Sequence, residues 1–588
     1  MSTVGSSART PGRSDSASGG RRPPPRSRPS GAREIERRRR RAFGIGGIAL
    51  IALVVGIVVG SGAGSPGPAL AERFGQAWAR GNYLAMYEML SPAAQRATDA
   101  AGFQSAYLAA AATATADGVS VGRARNGPHG TVALPVAVRT RVWGILHGDL
   151  DIPIVSSASK DTIGWTPALV FPGLRAGETL THQTTLPRRA TILARNGQPL
   201  AEGPQRSSSF PTAVTDVVGS LGPIPAAQLA AFEARGYPPG AQVGTSGLEQ
   251  ILEPQLVGTP GGVLMAGGRT IASAQPRAAH TVRTTIDPVM QQAAENGLSI
   301  TGGIAVLKPN GEVLALAGLA TDQQPPGSTF KMITASAALE AHAVTINTVF
   351  PLADHATLSG VTLENAGGEV CGGTLLNAFA VSCNSVFAPL GAKIGAKRLV
   401  ETAERFGFNQ PSDIPGAPES TLPQPNAVGD DLAVGSTAIG QGMVLATPLE
   451  MALIAATIAD GGRRPHLTLI ANTPPRYKHA ISASTAHTMR RMMIEVVRSG
   501  TGTSAQIPGV TVAGKTGTAE LVATQGPTAN PNVNPYTATD AWFAAFAPAL
   551  APRVVVGVMF PMAGAGGQTA APVAQQVLVT ALGEGAKL

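Results

Sequence analysis

Ser328 and Lys331 lie three residues apart in the sequence PPGSTFKMITASAALE, which spans residues 325–340. The Pro-Pro-Gly interrupts the chain, and the residues after it favour a helix that begins at the serine. On such a helix the two side chains share one face, so the lysine amine can approach the hydroxyl. A desolvated lysine has a lowered pKa and can take the serine proton, which creates a nucleophile. By itself the pair favours the alternative, a capping serine followed by a solvated lysine.

Two later segments change that balance. The sequence AVSCNSVFA contains Ser382 and Asn384 in an S-x-N motif, and VAGKTGTAELVA contains a K-T-G motif that begins at Lys515 in a strand-like run. Ser328 precedes Ser382 by 54 residues, and Lys515 follows Ser382 by 133. The ordered set S-x-x-K, S-x-N and K-T-G is typical of β-lactamases and penicillin-binding proteins. Three ordered motifs are far more specific than one, so we interpret Ser328 as a nucleophile and Lys331 as its base.

The charge distribution argues against nucleic-acid binding. The chain of 588 residues has a net charge of +9. Residues 1–41 account for all of it, since they hold 12 Arg and 3 acidic residues. We expect this Ser-, Gly-, Pro- and Arg-rich tail to be disordered, and the remaining chain is neutral. The sequence has no H-E-x-x-H motif. We therefore expect no metal or cofactor, and no nucleic-acid partner.

An apolar segment follows the basic tail. Residues 42–60 carry no charge and would span about 28 Å as a helix, close to the thickness of a bilayer core. A cleaved signal peptide is the alternative, and the apolar length favours a retained membrane helix. With Arg37–Arg41 in front of it, the positive-inside rule predicts a cytoplasmic N-terminus and an extracytoplasmic chain from residue 61.

The chain beyond this segment divides into three predicted domains. In residues 66–175, aromatic residues recur at helical spacing and are expected in the core, namely Phe74, Trp78, Tyr83 and Tyr87. Alternating strands follow, with predicted turns at Asn126–Pro128 and His147–Asp149, which indicates a small α+β domain. Residues 176–280 are rich in Pro and Gly and are interpreted as a linker domain. In residues 281–588 we expect a strand, a helix whose start is marked by Asp287 as cap and Pro288 in the first turn, and a hairpin around Pro309–Gly311. With the three motifs, this is again an α+β pattern.

The two cysteines of the chain are Cys371 and Cys383, in CGGTLLNAFAVSCN. Outside the cytoplasm a disulfide is plausible, and two buried thiols fit the spacing equally well.

Several segments resemble class B penicillin-binding proteins, the D,D-transpeptidases of bacterial cell-wall synthesis. PPGSTFK, SCNSVFA, AIGQGMVLATPLEMALIAATIADGG and VAGKTGTAE resemble the transpeptidase domain, over about residues 281–588. RRATILARNGQPLA and SGLEQILEPQLVGTPGG resemble the N-terminal, dimerisation-type region over 176–280. WTPALVFPGL and the helices before it resemble the NTF2-like extension of the methicillin-resistance type, over 66–175. The resemblance implies a membrane-anchored, multidomain α+β protein with a penicillin-binding, β-lactamase-like fold.

The resemblance also implies roles for individual residues. Ser328 would attack a D-Ala carbonyl with Lys331 as base, and Ser382 would relay a proton to the leaving amine. Asn384 would bind the substrate backbone, and Lys515 would supply positive charge near the substrate carboxylate and help to keep Lys331 neutral.

The K-T-G strand would complete the site. Thr516 would bind the carboxylate, and Gly517 would let the substrate chain lie close to the strand. The backbone N–H groups of Ser328 and Thr518 would form the oxyanion hole.

The implied partners are peptidoglycan stem peptides, β-lactam antibiotics and a membrane glycan polymerase or other division or elongation proteins. Alternative functions are a serine β-lactamase, a D,D-carboxypeptidase, a β-lactam-sensing receptor and a catalytically inactive scaffold. A class A β-lactamase needs a glutamate in an E-x-x-L-N context, and the nearest match, Glu419, has Pro423 in place of the asparagine. We therefore interpret Glu419 as a solvated loop residue.

Overall fold

The computed structural model describes residues 66–157, 160–211, 217–521 and 538–583. The predicted tail at 1–41 and the predicted membrane helix at 42–60 lie outside these ranges. Within the described ranges, no helix has both the length and the apolar character that a membrane span requires.

The first domain packs helices against an antiparallel sheet. Its elements are α1 (Pro66–Ala79), α2 (Tyr83–Glu88), α3 (Pro92–Ala97), α4 (Ala100–Thr113), β1 (Ala116–Val121), β2 (Arg125–Asn126), β3 (Thr131–Thr140), β4 (Gly144–Ser156) and β5 (Asp161–Ile163). The strand order is β1-β3-β4-β5, and β2 pairs with β3. Helices precede antiparallel strands, as predicted. The core contains the predicted aromatic residues, among them Phe74, which is fully buried, and Trp78, which lies edge-on to Tyr107.

The predicted turn at His147–Asp149 was wrong, because these residues lie inside β4. The pairing of β3 with β4 runs from Thr131↔Pro153 to Thr140↔Gly144 without interruption. The chain reverses before Gly144, whose φ of +75° favours glycine. Gly148 has a different function, since a Cβ there would lie 2.9 Å from Cβ of Pro172. A glycine inside a strand can mark such a close approach rather than a turn.

The second domain contains short elements in small sheets. They are β6 (Leu180–Thr185), β7 (Ile192–Leu193), β8 (Pro199–Ala201), β9 (Leu221–Pro223), α5 (Leu229–Glu233), β10 (Gln242–Gly244), α6 (Gly247–Ile251), α7 (Glu253–Leu256), β11 (Gly261–Ala266), β12 (Arg269–Ala274) and β13 (Val282–Arg283). Buried Glu249 accepts hydrogen bonds from Arg189 at 2.6 Å and Arg206 at 2.5 Å. This ion-pair network joins α6 to the segments on either side of the β7–β8 hairpin.

The third domain is built on a five-stranded antiparallel sheet. Its elements are α8 (Pro288–Gly297), β14 (Gly303–Leu307), β15 (Val313–Gly318), α9 (Lys331–Glu340), β16 (Val349–Ala353), β17 (His355–Leu358), β18 (Val361–Glu364), β19 (Cys371–Thr374), α10 (Leu375–Ala380), α11 (Asn384–Phe406), α12 (Asp431–Ala438), α13 (Pro448–Ala459), β20 (Arg463–Pro465), β21 (Tyr477–His479), α14 (Ala483–Arg498), β22 (Ala513–Glu520), β23 (Thr539–Ala547), β24 (Val554–Phe560) and α15 (Ala570–Gly583). The strand order is β15-β14-β24-β23-β22, which places the K-T-G strand at an edge.

Helices cover both faces of this sheet. Apolar residues of α8 and α15 form one core with the first face, and α9 to α14 form the larger core with the second. As predicted, Asp287 caps α8 by accepting from the N–H groups of Val289 and Met290, and a hairpin joins β14 to β15. Small side chains make up half of α9, and eight of its residues are buried, so this helix lies in the centre of the larger core. The S-x-x-K motif therefore lies on a rigid support.

Candidate active site

The three motifs meet at one cleft between the sheet and the helices. Ser328 lies in a short 3-10 turn that leads into α9, and Lys331 is the first residue of that helix. Ser382 lies between α10 and α11, and Asn384 begins α11. Lys515 lies on the edge strand β22. Segments that are far apart in the sequence thus place their polar side chains together.

Glycines hold the segment of Ser328 close to β22. Gly327 has a φ of +51°, and a Cβ on it would lie 2.6 Å from the carbonyl oxygen of Thr518. Its N–H donates to the carbonyl of Gly440 at 3.0 Å. Gly440, in the IGQG segment, has a φ of +79°, and a Cβ there would lie 1.9 Å from the Gly327 carbonyl oxygen. Both positions require glycine, and together they fix the backbone of the nucleophile.

Lys331 is fully buried and its hydrogen bonds go to the S-x-N segment. Its Nζ donates to Asn384 Oδ1 at 2.6 Å and to the carbonyl oxygen of Ser382 at 2.7 Å, and it lies 3.4 Å from Ser382 Oγ. The two shortest partners are oxygens that can only accept. A neutral amine has two N–H groups and one lone pair, so these bonds use both N–H groups and leave the lone pair available to take a proton.

The electrostatic surroundings favour a neutral Lys331. Burial lowers the pKa of Lys331 well below its ordinary value, and the nearby charge of Lys515 lowers it further. Burial also lowers the pKa of Lys515 to about 7. Aromatic rings form part of this apolar environment, since Nζ of Lys331 lies 5.7 Å from the ring centre of Phe387. Near neutral pH, one lysine is thus a base and the other is a partly protonated cation.

Ser382 lies between the two amines. Lys515 Nζ donates to Ser382 Oγ at 2.9 Å and to the carbonyl oxygen of Thr516 at 2.9 Å. Ser382 has a φ of +62°, which is uncommon for a residue other than glycine and marks a conformation that the surrounding structure imposes. Its hydroxyl can accept from one amine while it donates to the other. This geometry suits proton transfer across the site.

A disulfide joins Cys371 to Cys383, with Cα atoms 5.8 Å apart. The sequence fits either a disulfide or two buried thiols, and the structure has the disulfide. The bond ties β19 to the residue between Ser382 and Asn384.

The K-T-G strand contributes hydroxyls to the cleft. Thr516 and Thr518 both line it, and Oγ1 of Thr516 lies 2.5 Å from Oγ1 of Thr501. A Cβ on Gly517 would lie 2.8 Å from the carbonyl oxygen of Pro326. Glycine at this position therefore lets the segment of the nucleophile approach the strand.

The cleft has a volume of about 700 Å³, which is sufficient for a peptide segment. Beside the predicted residues it is lined by polar side chains that the sequence analysis missed, namely Thr501, Thr503, Ser504 and Gln568. The first three follow α14 in RSGTGTSAQ, a stretch that matches no motif considered above. Its position in the cleft and its contact with Thr516 identify Thr501 as a site residue. Glu419 is exposed and lines a separate, small cavity beside Glu450.

Comparison with protein families gives three matches along the chain. Residues 302–579 match the penicillin-binding protein transpeptidase domain. Residues 201–273 match the penicillin-binding protein dimerisation domain, and residues 66–178 match the NTF2-like N-terminal transpeptidase domain.

Curated proteins and solved structures give the same result. The chain is 35% identical over 376 residues to peptidoglycan D,D-transpeptidase PbpA of Mycolicibacterium smegmatis, covering 52% of this chain and 73% of that protein. It is 37% identical over 289 residues to PbpA of Mycobacterium tuberculosis, covering 45% of this chain and 56% of that protein. The structure resembles a ceftriaxone acyl-enzyme complex of penicillin-binding protein A from M. tuberculosis, with 30% identity, a TM-score of 0.53 and coverage of 67% of this chain and 98% of that one.

Proposed function

Because the chain belongs to the family of class B-type penicillin-binding proteins, we propose that it catalyses D,D-transpeptidation of peptidoglycan stem peptides through a serine acyl-enzyme. The observation that carries this proposal is the position of Ser382 Oγ. It lies 2.9 Å from Lys515 Nζ and 3.4 Å from Lys331 Nζ, in the cleft that Ser328 also lines.

Acylation uses the neutral amine of Lys331. Ser328 Oγ attacks the carbonyl carbon of the penultimate D-Ala, and its proton passes to the free lone pair of Lys331. The bond to the terminal D-Ala then breaks. The leaving amine takes a proton from Lys331 by way of Ser382 Oγ, and free D-Ala departs. Both lysines are then back in their starting protonation states.

The oxyanion and the substrate carboxylate are held by different groups. The backbone N–H groups of Ser328 and Thr518 face the carbonyl oxygen that becomes negative, and the removal of one such donor costs about 2.7–4 kcal/mol. Lys515 supplies positive charge near the carboxylate of the terminal D-Ala. The hydroxyl of Thr516, oriented by Thr501, donates to the same carboxylate.

The second half of the reaction transfers the acyl group to an amine. The amine of a neighbouring stem peptide attacks the ester carbon and gives a proton to Lys331. Lys331 passes this proton to the ester oxygen, which leaves as the regenerated hydroxyl of Ser328. The product is a 4-3 crosslink. A β-lactam mimics the D-Ala-D-Ala end and acylates the same serine.

Intact-mass measurement after addition of penicillin G tests the proposal. We expect one adduct of the mass of penicillin G that persists for hours, and none in Ser328→Ala. If the wild type forms no adduct, the chain is an inactive scaffold and the proposal is wrong. Rapid loss of the adduct as hydrolysed penicillin would instead indicate a β-lactamase. Release of D-Ala from a stem peptide without crosslinking would indicate a carboxypeptidase.

The proposal includes attachment to the membrane by residues 42–60, with the catalytic domain outside the cytoplasm and a membrane glycan polymerase as partner. It is supported by the length of the uncharged segment and by the five arginines that precede it. Fractionation of cells that produce the full chain, compared with a chain that lacks residues 1–60, tests it. We expect only the full chain in the membrane fraction, and recovery of the full chain in the soluble fraction would contradict it.

A further inference from the structure

The last residue of β18 and the residue that follows it hold the start of α11. Asn384 Nδ2 donates to the carbonyl oxygen of Glu364 at 3.0 Å. The next residue, Ser385, donates its backbone N–H to Asn365 Oδ1 at 2.8 Å. The neighbouring residues Glu364 and Asn365 thus bind the neighbouring residues Asn384 and Ser385. Asn384 is the asparagine of the S-x-N motif.

Asn365 is fixed in its orientation. Its side chain is buried, with 1% of the residue exposed. Its Nδ2 donates to the carbonyl oxygens of Ala353 and Glu369, both at 2.8 Å, and lies 3.2 Å from Ser385 Oγ. The two shortest bonds use both N–H groups of the amide, so Oδ1 must face the N-terminus of α11.

Asn365 also replaces the usual cap of this helix. The residue in the N-cap position of α11 is Cys383, whose side chain makes no capping hydrogen bond and is bonded to Cys371. The first backbone N–H groups of a helix have no partner within the helix. Asn365 Oδ1 satisfies one of them from a distant segment of the chain. The position of the first turn of α11 therefore depends on Asn365.

That first turn carries a contact on which the chemistry depends. Asn384 Oδ1 lies 2.6 Å from Lys331 Nζ and accepts one of its two N–H groups. A shift of the first turn would move Oδ1 away and leave the amine free to rotate. We propose that Asn365 is a positioning residue for acylation, which acts through Asn384 to hold the amine of Lys331 in its reactive orientation. This inference rests on the proposed function and extends it to a residue outside all three motifs.

The first experiment separates binding from acylation in Asn365→Ala. Stopped-flow kinetics with penicillin G yield the dissociation constant of the initial complex and the first-order rate constant of acylation. We expect the rate constant to fall about tenfold or more, since the loss of one buried hydrogen bond changes free energies by about 1–3 kcal/mol. The dissociation constant should change by less than about threefold. A variant whose rate constant equals that of the wild type would overturn the inference.

A matched variant controls for loss of stability. Asn409 follows the other end of α11, and its side chain also accepts a backbone N–H, that of Leu422 at 3.1 Å. Its φ is +54°, so Asn409→Ala should destabilise the fold at least as much as an ordinary buried Asn→Ala change. We expect this variant to be acylated at the rate of the wild type. If both variants lose acylation rate equally, the slower acylation of Asn365→Ala results from lower stability of the fold. That outcome would contradict the inference.

A double-mutant cycle tests whether Asn365 acts through Asn384. If it does, Asn365→Ala in the background of Asn384→Ala should cause no further loss of acylation rate beyond about twofold. If the losses of acylation rate in the two single variants multiply in the double variant, Asn365 acts independently of Asn384. In that case this inference fails and the proposed function does not. If the wild type itself is not acylated, the proposed function fails and the inference fails with it.

Discussion

At the scale of single residues, the site depends on two lysines that must be in different protonation states. Lys331 has to be neutral to take the proton of Ser328, and Lys515 has to be charged to attract a carboxylate. The structure separates them electrostatically, because the nearby charge of Lys515 adds to the effect of burial in lowering the pKa of Lys331. Burial lowers the pKa of both, and that of Lys331 most strongly.

The pH dependence of acylation follows from these two pKa values. The second-order rate constant for penicillin G should rise with pH as Lys331 loses its proton, and fall above about pH 7 as Lys515 loses its own. The decrease above about pH 7 depends on attraction between Lys515 and the carboxylate of the ligand. The methyl ester of penicillin G lacks this carboxylate, so it should react more slowly and its rate should not decrease above pH 7. Rates measured from pH 5 to 9 check this. An ester whose rate falls above pH 7 as steeply as that of the acid would contradict the assignment to Lys515.

Thr501 should contribute to carboxylate binding through Thr516. Thr501→Val keeps the shape of the side chain and removes the hydroxyl that lies 2.5 Å from Thr516 Oγ1. We expect the affinity for penicillin G to fall about fivefold to tenfold, since the hydroxyl of Thr516 loses the partner that orients it.

The control for this change is Thr503→Val, since Thr503 lines the same cleft and is exposed. It should bind penicillin G as the wild type does. The methyl ester should bind Thr501→Val and the wild type alike, and a loss of affinity for the ester as large as that for the acid would rule out the carboxylate as the cause.

At the scale of elements, the S-x-N motif lies in a tight connection that is held from outside. The disulfide joins this connection to β19, and Asn365 holds the start of α11. Ser382, in its left-handed conformation, directly precedes the bonded Cys383. A short loop between two helices would not by itself keep a serine in this region of backbone space.

Loss of the disulfide should therefore affect both stability and chemistry. The bond closes a loop with a sequence separation of 12, for which the chain-entropy model gives about 3 kcal/mol. We expect the Cys371→Ser, Cys383→Ser double variant to unfold at lower urea concentration and to be acylated several-fold more slowly, as the backbone of Ser382 becomes less restricted.

Wild-type protein treated with a reductant should behave like the double variant, while the double variant itself should not respond to the reductant. Urea unfolding and penicillin acylation check both statements. If the double variant is less stable but reacts at the wild-type rate, the bond serves the fold alone.

The elements that the sequence predicted best are those with a local signal. Asp287 and its proline predicted the start of α8, and the three motifs predicted which side chains would meet. Thr501 and Asn365 carry no such signal, because the importance of each comes from a contact with a distant residue: Thr516 lies 15 residues from Thr501, and Ser385 lies 20 residues from Asn365. The error at Gly148 has the same origin, since the residue it accommodates, Pro172, belongs to another segment.

At the scale of the whole molecule, the first and second domains share a core. Leu264 of β11 is fully buried among the apolar residues of the first domain, and Trp143 Nε1 donates to the carbonyl oxygen of Gly262 at 3.1 Å. The sheet of β6, β11 and β12 thus completes the NTF2-like unit. The catalytic side chains lie in the third domain, against a different core. The stability of one unit and the reactivity of the other should therefore be separable.

Leu264→Ala tests this separation. The cavity should lower the free energy of unfolding of the first domain by about 2–5 kcal/mol, whereas Leu84→Ala, at a side chain that is 63% exposed, should change it by about 0.5 kcal/mol or less. Trp78, Trp143 and Trp165 make fluorescence a reporter of this domain. Since Leu264 packs in the core of the first domain and not in that of the catalytic side chains, acylation of Ser328 should proceed at the wild-type rate in both variants. A slower reaction in Leu264→Ala alone would mean that the first domain acts on the catalytic cleft.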